Sequence, residues 1–199
     1  MTPFIEAALK FGQACEASGV AYFLGGSAAT TFHGEPRMTN DLDFVIDADE
    51  LAVARLVVTL GVDFESDVDA LRRAARQRSS WNVFYLPDFT KVDVFFLRTA
   101  PYDQLEFARR RPIIVPGAAS RLWVKAPEDS VLRKLCWFRD GGGTSERQWR
   151  DVVMVLRANA GRLDETHLEA WAGPLGVDAL LAHARLAAAV PIAQALIRR

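Results

Sequence analysis

The sequence predicts an α+β fold: a small mixed β-sheet within residues 20–125, followed by a helical C-terminal section. Short apolar runs bounded by turn residues recur through the first of these regions, which is the pattern of strands. From Pro127 onward, apolar residues recur at helical spacing instead. Half of the 199 residues are hydrophobic, which supplies enough apolar surface for a core. We therefore expect a core domain of residues 1–126 and a helical subdomain of residues 127–199.

The first part of the chain alternates helical and strand patterns. Residues 3–18 predict an amphipathic helix, because apolar residues recur at helical spacing and Gly19 follows as a stop signal. The next segments predict, in chain order, a strand at 20–24, a short helix after the Gly25–Gly26 turn, a strand at 42–47, a helix at 48–61, a strand within 62–66 and a helix at 67–78. The last segments of this part predict strands at 80–86 and 91–97 joined as a hairpin by the sequence PDFT, a helix at 100–110, and strands at 111–116 and 121–126.

The second part of the chain carries only helical patterns. They predict helices at 127–140, 145–159, 164–172 and 176–197.

Composition and charge exclude several classes of protein. The net charge of −1 and the pI of about 6.3 argue against a general nucleic-acid coat, so a polyanionic partner needs a local basic patch. Cys15 and Cys136 lie in apolar helical patterns and predict buried free thiols rather than a disulfide or a zinc site. The N-terminus does not resemble a signal peptide, and no window approaches 18 uninterrupted apolar residues. We expect a cytoplasmic protein with no membrane partner.

Two aspartates stand in a segment that otherwise predicts a buried strand. Asp41 and Asp43 are two residues apart, so their carboxylates leave the strand on one face, while Leu42 and Phe44 face the core. Two adjacent carboxylates repel each other unless a cation lies between them. A magnesium-like ion, held by carboxylate oxygens and substrate phosphates, meets that need.

A third carboxylate lies in a later apolar strand. Asp93 alternates with Val92 and Val94, and an acid there is costly unless it is paired or metal-bound. If this strand lies beside 42–47, three carboxylates converge, and three acids can hold two Mg²⁺ ions, or Mn²⁺ in their place, about 3.5–4 Å apart for nucleotidyl transfer. We assign Asp93 as the candidate general base, because it would touch only the metal of the nucleophile.

The turn Gly25-Gly26-Ser27 predicts a phosphate cradle. A strand that ends in two glycines and leads into a helix offers backbone N–H groups and a positive helix end. The Ser27 hydroxyl adds a donor to phosphate, or caps the helix, or does both. The spacing between Gly26 and Asp41 leaves room for one short helix and a return loop, which places the cradle beside the carboxylates.

These groups together resemble the signature of the polymerase-beta-like nucleotidyltransferase superfamily: Gly-Gly-Ser after a strand, Asp-x-Asp on the next strand, and one Asp on a later strand. The segment RMTNDLDFVID resembles the variant of the AbiEii-type and MenT-type bacterial nucleotidyltransferases, many of which are toxins of toxin–antitoxin pairs. The resemblance implies the nucleotidyltransferase fold and an NTP substrate. It also favours Arg37 as a phosphate ligand or a brace for the acidic pair, with Thr39 beside it.

A second motif supports the same resemblance. These subfamilies share Pro-Glu-Asp, a helix that carries Lys, and Arg and Asp on the next helix, and this chain has APEDSVLRKLCWFRD and SERQWRDVVMVL. The match implies that Lys134 supports the triphosphate, and that Asp151 orients Lys134 or contacts the nucleotide. The run RQWRD replaces the commoner Lys/Arg-Lys-Asp, so the basic partner is Arg147 or Arg150. A surface pair of Asp151 with Arg147 is the alternative.

The implied activity is magnesium-dependent transfer of a nucleoside monophosphate from an NTP to a hydroxyl acceptor. By resemblance the acceptor is tRNA, and an antitoxin protein is the partner. Two alternatives stay open: the same chemistry on a small molecule or a protein side chain, and a catalytically silent domain that binds a nucleotide or a partner. The arginines at 72–78 and 109–111 are interpreted as solvated faces, with guidance of an RNA acceptor as the alternative.

Overall fold

The computed structural model describes residues 2–34, 39, 41–115, 117, 118 and 120–190. Its contacts divide the chain into two compact units. The first unit comprises Met1–Ala29 and Met38–Ala126, and the second comprises Thr30–Arg37 and Pro127–Arg199. Helix α2 begins in the first unit and ends in the second.

The elements that begin in the first unit follow the predicted order. Their bounds are α1 Pro3–Ser18, β1 Ala21–Leu24, α2 Gly26–His33, β2 Asp41–Asp47, α3 Glu50–Leu60, β3 Phe64–Glu65, α4 Val68–Gln77, β4 Ser80–Tyr85, β5 Thr90–Phe96, α5 Pro101–Ala108, β6 Arg111–Ile114 and β7 Arg121–Val124. A short 3₁₀ turn, Gly61–Asp63, separates α3 from β3. The predicted strand within 62–66 is therefore only two residues long.

The second unit is helical in its described residues. Its helices after α2 are α6 Pro127–Asp140, α7 Glu146–Ala158, α8 Glu165–Ala172 and α9 Asp178–Ala189. The helix predicted at 176–197 is described only up to residue 190, since the residues beyond it lie outside the described part.

Aspartate caps explain why two helices begin later than predicted. The Asp49 side chain accepts a hydrogen bond from the Ala52 N–H, so α3 starts after this residue. The Asp67 side chain accepts one from the Ala70 N–H in the same way at the start of α4. Each cap satisfies a backbone donor that the first helical turn leaves without an intrahelical partner.

The strands of the first unit form one mixed sheet. In the described residues its order is β3-β4-β5-β2-β1-β7-β6. The central strands β2 and β5 run parallel, and β1 runs antiparallel to β2 and parallel to β7. The predicted hairpin is confirmed, because β4 and β5 pair antiparallel across the PDFT turn. The α+β class predicted from the sequence is confirmed by this arrangement.

The core of the first unit lies on the sheet face that packs against α1. Phe44 of β2 is fully buried, and its ring centroid lies 4.6 Å from that of Phe11 on α1 and 5.7 Å from that of Tyr22 on β1. Tilted aromatic pairs of this kind add to the free energy gained from burial. This face fixes the strand register, since a slip by one residue would expose Phe44.

Both cysteines are buried free thiols, as the sequence predicts. Burial raises the pKa of the Cys15 thiol above its usual range, which keeps the thiol protonated and unreactive. Among the described helices, none combines the length and the apolar character that crossing a membrane requires.

Two leucines of α3 provide a matched test of the core. Leu56 is 2% exposed and Leu51 is 71% exposed. We expect Leu56→Ala to lower the free energy of unfolding by about 2–5 kcal/mol, because it removes buried methyl groups and leaves a cavity. Leu51→Ala should change it by less than about 0.5 kcal/mol. Urea denaturation followed by circular dichroism measures both, and equal losses would contradict the assigned burial of this helix.

Candidate active site

The three predicted acids lie side by side on neighbouring strands. Asp43 of β2 is the register partner of Asp93 of β5 in the parallel pair. Asp41 lies two residues before Asp43, so its side chain leaves β2 on the same face of the sheet. The expected adjacency of the two strands is thus observed, while the roles of the acids as ligands or base stay predictions.

Alternating burial explains why the sequence places the acids on this face. Leu42, Phe44 and Val92 are 0% exposed on the opposite face, which packs into the core. The intervening acids must therefore point to the other face, where Asp43 and Asp93 are half-buried and Asp41 is exposed. The apolar core thus sets the direction of the carboxylates.

A lysine lies among these carboxylates. The Lys91 Nζ is 2.8 Å from Asp93 Oδ1 and 2.9 Å from Asp93 Oδ2, and Lys91 is the register partner of Asp41. The hydrogen bond to Asp93 is the main reason that the pKa of Lys91 is raised. The charges of Asp93, Asp41 and Asp43 add to that rise, against the opposing effect of burial. A cation therefore already lies on Asp93, within range of the charges of Asp41 and Asp43.

The Gly25–Gly26 turn is in direct contact with Asp43. The Gly25 N–H donates to the Asp43 carbonyl oxygen at 2.7 Å, at the point where β1 ends. Gly26 has a φ of 56°, and a Cβ there would lie 1.8 Å from Asp43 Oδ2. Glycine is thus required at position 26 both by the backbone conformation and by the close approach of the carboxylate.

Of the three remaining predicted nucleotide ligands, the structure describes Ser27 and Thr39. Helix α2 begins at Gly26, so Ser27 lies in its first turn, and both roles predicted for its hydroxyl, phosphate donor and helix cap, stay predictions. Thr39 donates from its hydroxyl to the Asp41 carbonyl oxygen at 3.4 Å, which links it to the start of β2. Arg37 lies outside the described residues.

The donor set suits a hard divalent cation. Carboxylate oxygens are the ligands that Mg²⁺ and Mn²⁺ prefer, and the Lys91 ammonium already marks a cation position beside Asp93. Within the described residues, no three carboxylate, imidazole or thiol side chains are gathered closely enough to hold a metal as they stand. The acids fit a metal by the chemistry of their oxygens and by strand register, but they are not gathered around one position, and Lys91 is bound to one of them.

The second unit contains the other predicted pair. The Lys134 Nζ of α6 lies 2.7 Å from Asp151 Oδ2 of α7 and donates to Gln148 Oε1 at 3.2 Å. The two charged side chains are 3% and 6% exposed. Of the roles left open for Asp151, this contact matches the one in which it orients Lys134.

The Pro-Glu-Asp segment at the start of α6 joins this helix to the region of α8. Asp129 Oδ1 lies 2.8 Å from His167 Nε2, and Glu128 Oε1 accepts from the Asp164 N–H at 3.0 Å. Both acids are fully buried. This part of the second motif therefore holds the helices of its unit together.

Sequence reasoning missed residues that share a row or a face with the predicted ones. Lys91 precedes Asp93 by two residues on one strand face, and Gln148 precedes Asp151 by one helical turn, so both spacings were available as signals. Lys125 was not detectable, because its contact with Glu106 at 2.5 Å joins distant parts of the chain. A Cβ at Gly25 would lie 3.5 Å from Lys125 Cε, so this buried ion pair lies beside the glycine turn.

Three arginines of the α4 region lie in surface ion pairs. Arg72 pairs with Asp69 at 3.9 Å, Arg76 with Glu50, and Arg78 with Asp47 at 3.5 Å. Such pairs are typical of solvated faces, and each acid reduces the positive potential that would attract RNA phosphates.

Comparisons with known proteins bear on the fold. Neither the family models nor the sequences of curated proteins give a match to this chain. Among solved structures, an antigenic nucleotidyltransferase-like protein from Paracoccidioides brasiliensis matches with a TM-score of 0.60 and 18% identity, over 92% of each chain. The complex of ANT(2″)-Ia with adenylyl-2″-tobramycin matches with a TM-score of 0.55 and 12% identity, over 88% of this chain and 98% of that one.

A solution structure of the antibiotic-resistance factor ANT(2″)-Ia gives a similar result, with a TM-score of 0.52 and 12% identity, over 90% of this chain and 94% of that one. At such low sequence identity, these structural similarities support a conclusion about the fold only. The chain therefore has the fold of the nucleotidyltransferases, which its sequence motifs predict.

Gly19 and Gly26 both have a positive φ, but only Gly26 lies against Asp43. Comparing an alanine variant of each therefore distinguishes the cost of backbone strain from the cost of displacing Asp43. Gly19 has a φ of 72°, and a Cβ added there would meet open space within 4 Å, whereas one at Gly26 would meet Asp43. We expect Gly19→Ala to cost about 1–2 kcal/mol through backbone strain alone. Gly26→Ala should cost more, because the Asp43 carboxylate must also move. Chemical denaturation measures both, and an equal cost would contradict the close approach.

We expect a large loss of stability when one partner of the buried Lys134–Asp151 pair is removed. Asp151→Ala leaves the Lys134 ammonium without this counter-charge and should cost about 3–5 kcal/mol of unfolding free energy. The control Asp69→Ala breaks the exposed pair with Arg72 and should cost at most about 1 kcal/mol. A double change, Lys134→Met with Asp151→Leu, should cost less than Asp151→Ala. Urea denaturation tests this order, and a loss for Asp151→Ala as small as the control refutes it.

Proposed function

We propose that this protein is a magnesium-dependent nucleotidyltransferase. It moves a nucleoside monophosphate from an NTP to a hydroxyl acceptor and releases pyrophosphate. The observation that carries the proposal is the row formed by Asp43, Asp93 and the Gly25–Gly26 turn on one face of the sheet. The nucleotidyltransferase fold raises its weight, since this row corresponds to the motif that the sequence shares with that superfamily.

The acids supply the charge that the reaction needs. Mg²⁺ ions held by Asp41, Asp43 and Asp93 would stabilise the negative charge that develops on the phosphates. The acceptor oxygen forms a bond to the α-phosphorus, the bond from that phosphorus to the bridging oxygen breaks, and pyrophosphate leaves. Asp93, the candidate general base, accepts the proton of the acceptor hydroxyl and passes it to solvent.

The glycine turn binds the phosphates in this proposal. Without a Cβ at Gly25 and Gly26, phosphate oxygens could approach the main chain there, and the start of α2 presents backbone N–H groups. Ser27, in the first turn of that helix, adds a hydroxyl donor. Arg37 and Thr39 complete the nucleotide site by resemblance.

Lys134 and Asp151 are assigned by resemblance as well. Lys134 offsets triphosphate charge, and Asp151 orients it. The 2.7 Å contact between the two side chains supports the second of these roles. A buried lysine with a fixed carboxylate partner is held in one direction, which favours a defined contact over a mobile surface charge.

The acceptor is proposed to be tRNA, with an antitoxin protein as the partner, as the AbiEii-type and MenT-type resemblance implies. A small-molecule acceptor is the second candidate, and one observation favours it: a protein of the same fold has been solved with adenylyl-2″-tobramycin, a nucleotidylated small molecule. A protein side chain and a silent nucleotide-binding domain are the remaining outcomes that an experiment must separate.

The strand β2 offers a matched set of variants. Asp47 lies on the same strand and face as Asp43, but outside the row. Its carboxylate pairs with Arg78, with 3.5 Å between nitrogen and oxygen. We expect Asp43→Asn and Asp93→Asn to lower transfer of label from α-³²P-NTPs by about 10²–10⁴-fold, since each removes a ligand or the base. Asp47→Asn should retain activity within about threefold, since substitutions away from the site have small effects.

The assay contains Mg²⁺ and, in separate reactions, total tRNA, aminoglycosides and cell protein. Label on tRNA supports the proposed acceptor, and label on an aminoglycoside or on protein identifies one of the others. Metal-dependent NTP binding without transfer to any of them would overturn the proposed activity in favour of a silent domain. Equal losses in all three variants would show that the row is not the site.

A further inference from the structure

We propose that Lys91 is a tethered cation that competes with a divalent metal ion for Asp93. The inference rests on the proposed function only in taking Asp93 as a metal ligand. Lys91 would neutralise Asp93 in the metal-free protein and release it when a divalent ion enters. It acts as a positioning residue, because it works through Asp93 and not on the substrate.

The contact between Lys91 and Asp93 has the form of a bound ion. One nitrogen lies within hydrogen-bond distance of both carboxylate oxygens, at 2.8 and 2.9 Å. A cation placed symmetrically on a carboxylate in this way takes up both of the oxygens that a metal would use. As long as the contact persists, Asp93 is not available as a full ligand.

Strand geometry holds the lysine in this position. Lys91 and Asp93 are two residues apart on β5, so both side chains leave the strand on one face. The register partners of these two residues on β2 are Asp41 and Asp43. Lys91 is therefore bound to Asp93, with Asp41 and Asp43 on the neighbouring strand, and all three carboxylates attract its positive charge.

The lysine is also free to leave. Its side chain is 37% exposed, whereas that of Asp93 is 16% exposed. A partly exposed ion pair contributes little to stability, so exchanging it for a divalent ion is not costly. A divalent ion carries twice the charge of the lysine. Its Coulomb attraction to the three neighbouring carboxylates is therefore larger than that of the lysine.

Binding of Mn²⁺ without nucleotide tests the competition directly. The free Mn²⁺ signal in electron paramagnetic resonance gives the dissociation constant at an ionic strength of about 0.15 M, where distant charges are screened. Lys91→Met should bind Mn²⁺ at least about fivefold more tightly than the wild type, because a competing unit charge is gone. Lys91→Arg keeps the charge and should stay within about twofold of the wild type.

Two controls separate competition from a general change of charge. Lys10 pairs with Asp63 at 2.6 Å elsewhere in the first unit, so Lys10→Met removes the same charge from another ion pair and should leave Mn²⁺ affinity within about twofold. In an Asp93→Asn background, Lys91→Met should raise the Mn²⁺ affinity by at most about half of the factor seen in the wild type. The reason is that the carboxylate for which Lys91 and Mn²⁺ compete is absent. Circular dichroism confirms that each variant is folded, and Lys91→Gln replaces Lys91→Met if the latter is not.

Two results would overturn the role of Lys91. One is unchanged Mn²⁺ affinity in Lys91→Met and Lys91→Gln, and the other is an equal gain in the Asp93→Asn background. Neither depends on turnover. If no nucleotide is transferred to any acceptor, the Mn²⁺ titrations still decide this inference, and if transfer is found while the titrations show no competition, only the role of Lys91 fails.

Discussion

The mutual repulsion of three carboxylates on one sheet face is the constraint around which the site is arranged. The parallel register of β2 and β5 places Asp43 opposite Asp93, with Asp41 one step away on the same face. Like charges on one face repel each other, and Lys91, which is bound to Asp93, offsets part of that repulsion. The same negative charge that attracts Lys91 would also attract divalent ions and, with them, the phosphates of a nucleotide.

The rest of the first unit secures this arrangement. Phe44 and its neighbours in the core fix the register, because a slip of β2 by one residue would expose an aromatic ring and bury an acid. Gly26 lies so close to Asp43 that a side chain at this position would displace the carboxylate. The buried Lys125–Glu106 pair lies next to Gly25. A substitution at the glycine turn would therefore affect both stability and the position of the Asp43 carboxylate.

The sequence was sufficient to predict most of the fold and the members of the acidic row. Alternation around Asp41, Asp43 and Asp93 predicted which residues share a face, since strand periodicity is a local property. It did not predict helix starts at the Asp49 and Asp67 caps to the residue, because several polar residues there are plausible caps. Lys91 was missed although its spacing was visible, because a lysine on a strand is usually solvated. The Lys125–Glu106 contact was beyond reach, since it depends on how distant segments pack.

The central claim is that Asp41, Asp43 and Asp93 share a divalent ion beside the phosphates of an NTP. A crystal structure with Mn²⁺ and a non-hydrolysable NTP analogue, with the ions located by anomalous scattering, tests it most directly. The account predicts manganese at about 2.0–2.2 Å from carboxylate oxygens of Asp41, Asp43 and Asp93, with phosphates at the glycine turn. Manganese bound elsewhere, with Lys91 still on Asp93 and no phosphate near Gly26, would contradict it.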